Sequence, residues 1–154
     1  MLTNNLDRMR MHIALWVISL LSCSAAWAGT GNGDEILGKW LNASGRGQIE
    51  IYKEGNLYFG KLVWLREPND ENGMPKLDRN NPKKTEQGKP LLGALILRGF
   101  KQDGKEWNGG YIYDPQNGKD YKCFLKLQSP NELKVRGYIG VSLLGRTEVW
   151  TRIK

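Results

Sequence analysis

From Lys39 onward the chain is a succession of short runs in which apolar and polar positions alternate, cut by clusters of Gly, Asn, Asp and Pro. Alternation with period 2 marks strands with one buried face, and no stretch sustains the period of an amphipathic helix. The runs predict strands over 39–43, 47–53, 57–65, 94–101, 106–113, 119–128, 132–139 and 147–153. Between them, Glu54-Gly55-Asn56, Asp103-Gly104-Lys105 and Pro115-Gln116-Asn117-Gly118 supply residues that tolerate positive φ, as tight hairpins require. Neighbouring strands therefore pair in sequence order. Eight such strands keep two raw edges unless the last pairs with the first, so the expected fold class is all-β: an eight-stranded antiparallel up-and-down barrel.

The same alternation nominates the inward residues: Ile49 and Ile51; Leu57, Phe59, Val63 and Leu65; Leu95 and Leu97; Tyr111 and Tyr113; Tyr121, Cys123, Leu125 and Leu127; Leu133, Val135 and Ile139. Tyr58, Leu62 and Trp64 then face outward, either under another segment or as a patch that meets a partner. The segment 66–90 breaks the pattern, because it separates two strands by far more than the 2–5 residues or so of a hairpin. A stretch of that length is expected to serve a function, as a lid over the barrel mouth or a plug in it.

Composition adds compartment and subtracts chemistry. The 154 residues suit one domain with a real core. The net charge of +7 is spread along the chain with no basic run and no recognition motif, which argues against nucleic acid as a partner. Arg8 and Arg10, the apolar Met11 to Leu21, and Ala26-Trp27-Ala28 have the layout of an export signal cut after Ala28. The expected domains are thus a signal peptide, 1–28, and a single barrel, 29–154, in the periplasm or secreted. Leu20-Leu21-Ser22-Cys23 offers the alternative of a lipid anchor on Cys23, and no second apolar span predicts a transmembrane segment.

After that cut only Cys123 remains, without a disulfide partner, and His12, the sole histidine, is lost. Histidine-based triads and histidine-ligated zinc are excluded from the mature domain. Asp70-Glu71-Asn72-Gly73 with Asp78 and Asn80 supplies hard oxygen ligands, yet Pro68 stands where a calcium loop needs its first Asp. No metal and no cofactor are expected. Asp114 before Pro115 reads as a turn initiator, and Glu148 shares a strand face with Arg146, Trp150 and Arg152.

Gly38-Lys39-Trp40, Gly60-Lys61-Leu62-Val63-Trp64-Leu65, Asp78-Arg79-Asn80-Asn81-Pro82, Gly110-Tyr111-Ile112-Tyr113-Asp114-Pro115, Arg136-Gly137-Tyr138-Ile139-Gly140 and Gly145 to Arg152 together resemble an uncharacterised family of exported bacterial proteins, a domain of unknown function. The resemblance covers nearly all of the mature chain. It implies a lipocalin-like β-barrel and no established activity, cofactor or catalytic residue. A second likeness is to the lipocalin and calycin superfamily, whose first strand carries G-x-W and whose last strand or its flank carries an Arg stacked on that Trp. It implies that Arg152 packs on Trp40 and closes one barrel end.

The resulting expectation is a noncatalytic exported barrel that binds a small apolar or amphipathic ligand or a cell-envelope component. Its candidate contacts are Trp64, Asp78, Asn80, Asn81, Tyr113, Arg146, Glu148 and Arg152. The alternatives are an assembly module using the Tyr58, Leu62 and Trp64 face, and a carboxylate-based hydrolase centred on Glu148.

Overall fold

The computed structural model describes residues 33–154. The export segment, its cut after Ala28 and the Cys23 alternative fall outside the described residues. After a 3-10 turn, Gly33–Ile36, the strands are β1 Gly38–Leu41, β2 Gly47–Glu54, β3 Leu57–Leu65, β4 Leu95–Asp103, β5 Glu106–Asp114, β6 Lys119–Ser129, β7 Glu132–Tyr138 and β8 Gly145–Arg152. They form a closed antiparallel barrel in sequence order, with Trp40 opposite Arg152 where β1 meets β8. Closure leaves no edge strand to pair with a foreign chain.

Two glycines set the phase of the inward residues. Tyr58 and Gly60 of β3 face Phe100 and Leu97, so two steps on β3 match three on β4. Trp107 and Gly110 of β5 likewise face Leu125 and Cys123 of β6. The extra residues sit at Gly99 and Gly109, whose φ values of 71° and 76° suit glycine bulges. Each bulge resets the alternation, which is why Leu97 and Phe100, three apart, are both fully buried.

The face expected of β3 is reversed as far as Val63, while Leu65, beyond a register shift, packs against the core as expected. Tyr58 and Leu62 are buried, while Val63 is exposed and Phe59 half-buried. Both faces of this strand are apolar, so alternation alone did not discriminate. The choice is steric: a Cβ on Gly60 would meet Ile49 Cγ2 at 2.8 Å and Leu97 Cδ1 at 3.0 Å, so the glycine must point into the core. Outward Phe59 stacks on Tyr52 at 5.9 Å, and Lys61 Nζ lies 4.7 Å from the Tyr52 ring. Leu95, Tyr111 and Ile139 are also exposed against expectation. Leu95 is turned out by the register shift between Gly60↔Leu97 and Lys61↔Leu95, and Ile139 lies beyond the end of β7.

The barrel middle is filled by side chains. Trp107, Phe100, Leu97, Leu125 and Leu133 are fully buried, and the Phe100 ring lies 2.5 Å from where a Gly110 Cβ would stand. Cys123 is buried here as a small hydrophobe. Burial pushes its thiol from the ordinary 9.0 up to about 12. The native thiol should therefore resist iodoacetamide at about pH 8 and react once unfolded, as mass spectrometry would register. Because the raised value belongs to the folded state, its contribution to stability is complete below 9.0 and is lost as pH rises toward 12. Urea midpoints should fall over that window less steeply in Cys123→Ala than in wild type.

Candidate functional site

The β1 end of the barrel, where the chain enters, is closed as the G-x-W pattern implies. Trp40 is fully buried and its Nε1 donates to the Ile36 carbonyl at 2.9 Å. The Arg152 guanidinium lies 4.2 Å from the Trp40 ring centroid. Its Nη1 donates to Leu37 O and its Nε to Pro130 O, each at 2.7 Å, and its Nη2 donates to Glu35 O. Three carbonyls and one indole account for Arg152, which is a structural clamp at the end remote from the insertion.

The insertion, 66–94, is a folded unit. Asn69 bridges Pro75 and Leu77 bridges Pro90, and the Asp70 carboxylate caps its own turn by accepting from the amides of Asn72 and Met74 at 3.0 Å each. This use of Asp70 matches a solvated turn. Among the described residues no cluster of His, Cys, Asp or Glu could hold a metal ion.

The insertion docks on the outside of the barrel through Asp78. That carboxylate is buried, its Oδ1 accepts from Tyr113 Oη at 2.7 Å, and its Oδ2 accepts from Asn81 Nδ2 at 2.8 Å. Tyr113 shares the outward face of β5 with exposed Tyr111, since the two pair with Asp120 and Lys122 of β6. It is buried by the insertion and not by the barrel interior, which corrects the inward assignment. Burial raises the phenol pKa well above its ordinary value, and the hydrogen bond to Asp78 raises it further. Tyr113 thus stays protonated as a donor.

Asn80 fastens the same edge. Its Nδ2 donates to Pro115 O at 3.1 Å and to Gln116 O at 2.9 Å, in the β5–β6 turn. Gly118, at φ 70°, lies directly beneath the Asn80 backbone. Asn80 is a clamp and Asn81 orients Asp78, so both amides are spent on holding the insertion.

Between the insertion and the outer wall lies a groove of about 540 Å³. Its polar floor is Asp78 and Tyr113, its apolar walls include Leu92, Ala94 and Leu95, and Lys83, Lys89 and Arg98 add positive charge. Lys89 is paired with Glu86, and Arg98 with Asp120. Leu95 and Arg98 escaped sequence reading because they share an outward face only through the β4 register shift. Gly99, inside an otherwise regular strand, signals only the neighbouring bulge between Leu97 and Phe100, and no residue type marks the shift at Ile96.

The other candidates lie elsewhere. Trp64 is exposed near the end of β3. Glu148 accepts from Trp150 Nε1 at 3.1 Å and pairs with Arg146 at 3.0 Å. Asp114 caps the β5–β6 turn, accepting from Gln116 N and Asn117 Nδ2. The eight candidates therefore divide into Asp78, Asn80, Asn81 and Tyr113, which meet at the docked insertion, and four that do not join them.

Protein HP1028 from the human pathogen Helicobacter pylori, described as belonging to the lipocalin family, superposes with a TM-score of 0.64 over 77% of this chain and 82% of its own, at 17% identity. That likeness is one of fold. No curated protein matches the chain. The family described as "uncharacterized protein conserved in bacteria" (DUF2147) matches residues 38–152, which span the barrel from β1 through β8, and the chain belongs to that family.

Proposed function

We propose that the protein is a noncatalytic exported barrel that carries a small amphipathic ligand in the groove beneath the insertion. The observation that carries this reading is the groove itself: about 540 Å³, within the range of small-molecule sites, with apolar walls and a buried polar floor. Lipocalin-type barrels hold a ligand inside. Here aromatic and aliphatic side chains fill the barrel middle, which favours the outer groove. Lys83 has no carboxylate partner among the described residues and suits an anionic headgroup. The export layout of residues 8–28 supports action outside the cytoplasm. The patch needed for an assembly module is reduced to Trp64, since Tyr58 and Leu62 are buried. Both Glu148 oxygens are occupied, which leaves the hydrolase reading without a free carboxylate there.

Titration with an environment-sensitive fluorescent fatty acid should give saturable binding. Leu95→Glu places a charge on the apolar wall at an already exposed position and should weaken that binding roughly tenfold or more with the melting temperature unchanged. Absence of saturable binding to wild type, or equal binding by the variant, would remove the groove as the site.

A further inference from the structure

At the barrel end from which the insertion springs, the β7–β8 turn carries an unusual load. Ile139, Val141, Leu143 and Leu144 are 68%, 61%, 86% and 72% exposed. Four large apolar side chains on one six-residue turn, 139–144, incur a hydration cost that nothing among the described residues relieves. Their backbone is prepared for an apolar surrounding. Arg136, anchored on Thr147 Oγ1 at 2.6 Å, donates from Nε to Ser142 O at 2.8 Å and from Nη2 to Leu143 O at 3.3 Å. Within the turn, Leu144 N donates to Val141 O at 3.0 Å and Ile139 N to Leu144 O at 3.3 Å. Carbonyls at the tip are thus satisfied from behind, the condition for burying irregular backbone away from water.

Charge identifies what covers the tip. The β1–β2 turn, the end of β3 and the start of β8 lie at the same barrel end as the tip, and they present exposed Arg46, Arg66 and Arg146. Arg46 and Arg66 have no ion-pair partner among the described residues, and Arg146 is 84% exposed despite its contact with Glu148. Exposed Trp64 sits beside them on β3, a residue type suited to the boundary between headgroups and acyl chains. An apolar wedge beside exposed guanidinium groups, of which Arg46 and Arg66 have no ion-pair partner among the described residues, complements a surface that is apolar beneath and anionic above. We infer that the β7–β8 tip docks the barrel onto an anionic phospholipid surface, inserting Leu143 and Leu144 among the acyl chains while the arginines meet phosphates. The proposal stands independently of the groove and its ligand.

A chain beginning at Gly29 contains every strand and contact described above, so it isolates the barrel from the apolar segment 11–21. It should co-sediment with phosphatidylglycerol-containing vesicles and much less with pure phosphatidylcholine. Leu143→Ser/Leu144→Ser should reduce that binding roughly tenfold or more, and Arg46→Gln/Arg66→Gln should remove its preference for anionic lipid. Circular dichroism and the melting temperature should stay at wild-type values, since these side chains are exposed. Should the leucine pair disturb folding, Val141→Ser with Trp64→Gln gives the same test. Failure of the chain to bind anionic vesicles, or binding untouched by the tip variants, would overturn the proposal. So would concentration-dependent dimerisation in the ultracentrifuge that the leucine pair abolishes, which would assign the tip to a second copy.

Discussion

Trp40→Ala should destabilise the barrel by about 3–5 kcal/mol, much of the roughly 5–15 kcal/mol that holds a domain of this size together. The loss has three sources at one point. A fully buried indole leaves a cavity, the Ile36 carbonyl loses its donor, and the Arg152 guanidinium loses the ring it covers. The melting temperature should drop by more than about 10 °C. Trp40→Phe should cost less, because a ring remains beneath Arg152 and only the hydrogen bond and part of the volume go. Arg152→Lys should be intermediate, since an ammonium cannot reach Glu35, Leu37 and Pro130 together while covering the indole. Any of these variants that still folds should bind the fluorescent fatty acid like wild type, because the clamp and the groove lie at different places on the barrel. A Trp40→Ala protein with an unchanged unfolding midpoint would show that the barrel closes without this latch.

Asp78→Ala should release the insertion while leaving the barrel folded. The substitution strands the buried Tyr113 hydroxyl without its acceptor, at about 1–3 kcal/mol, and the half-buried Asn81 amide at less. Undocking 66–94 exposes both groups to water and avoids that cost, so the loss should appear as local opening. Trypsin should then cut early at Lys83 or Lys84, and fatty-acid binding should fail, with the circular dichroism of the strands retained. Gly118→Ala reaches the same state by another route: its Cβ would collide with the Asn80 carbonyl in a backbone conformation that a side chain disfavours. Tyr113→Phe removes one donor only and should give a milder version. If Asp78→Ala kept 66–94 protected and bound the probe normally, the Asp78–Tyr113 contact would not be what seats the insertion.

Residues of the same kind proved readable in one place and unreadable in another for a physical reason. The Trp40–Arg152 clamp is what the likeness to lipocalins and calycins implies, and barrel closure, which sets Trp40 opposite Arg152, brings the two together. The sequence points to Asp78 and Tyr113 separately, one from an anomalous loop and the other from an aromatic strand. Their contact needs the insertion to fold outward over β4–β6, and neither lid nor plug over the mouth describes that position. Trp64 and Arg146 are candidates on local grounds alone and take no part in the groove. Alternation places Ile139 in the core, yet the strand ends one residue earlier and leaves it in the exposed apolar tip.

By itself the sequence determined the eight strands, their order, the closure of the barrel and the presence of a long insertion, because period-2 alternation and turn chemistry act over a few residues at a time. Only the tertiary structure decided which face of β3 is buried, where the phase slips at Gly99 and Gly109, and on which wall the insertion lies. Those outcomes depend on how side chains from different strands fit one another, as Gly60 against Ile49 and Leu97 does, and no local pattern encodes the shape of a neighbour distant in the chain.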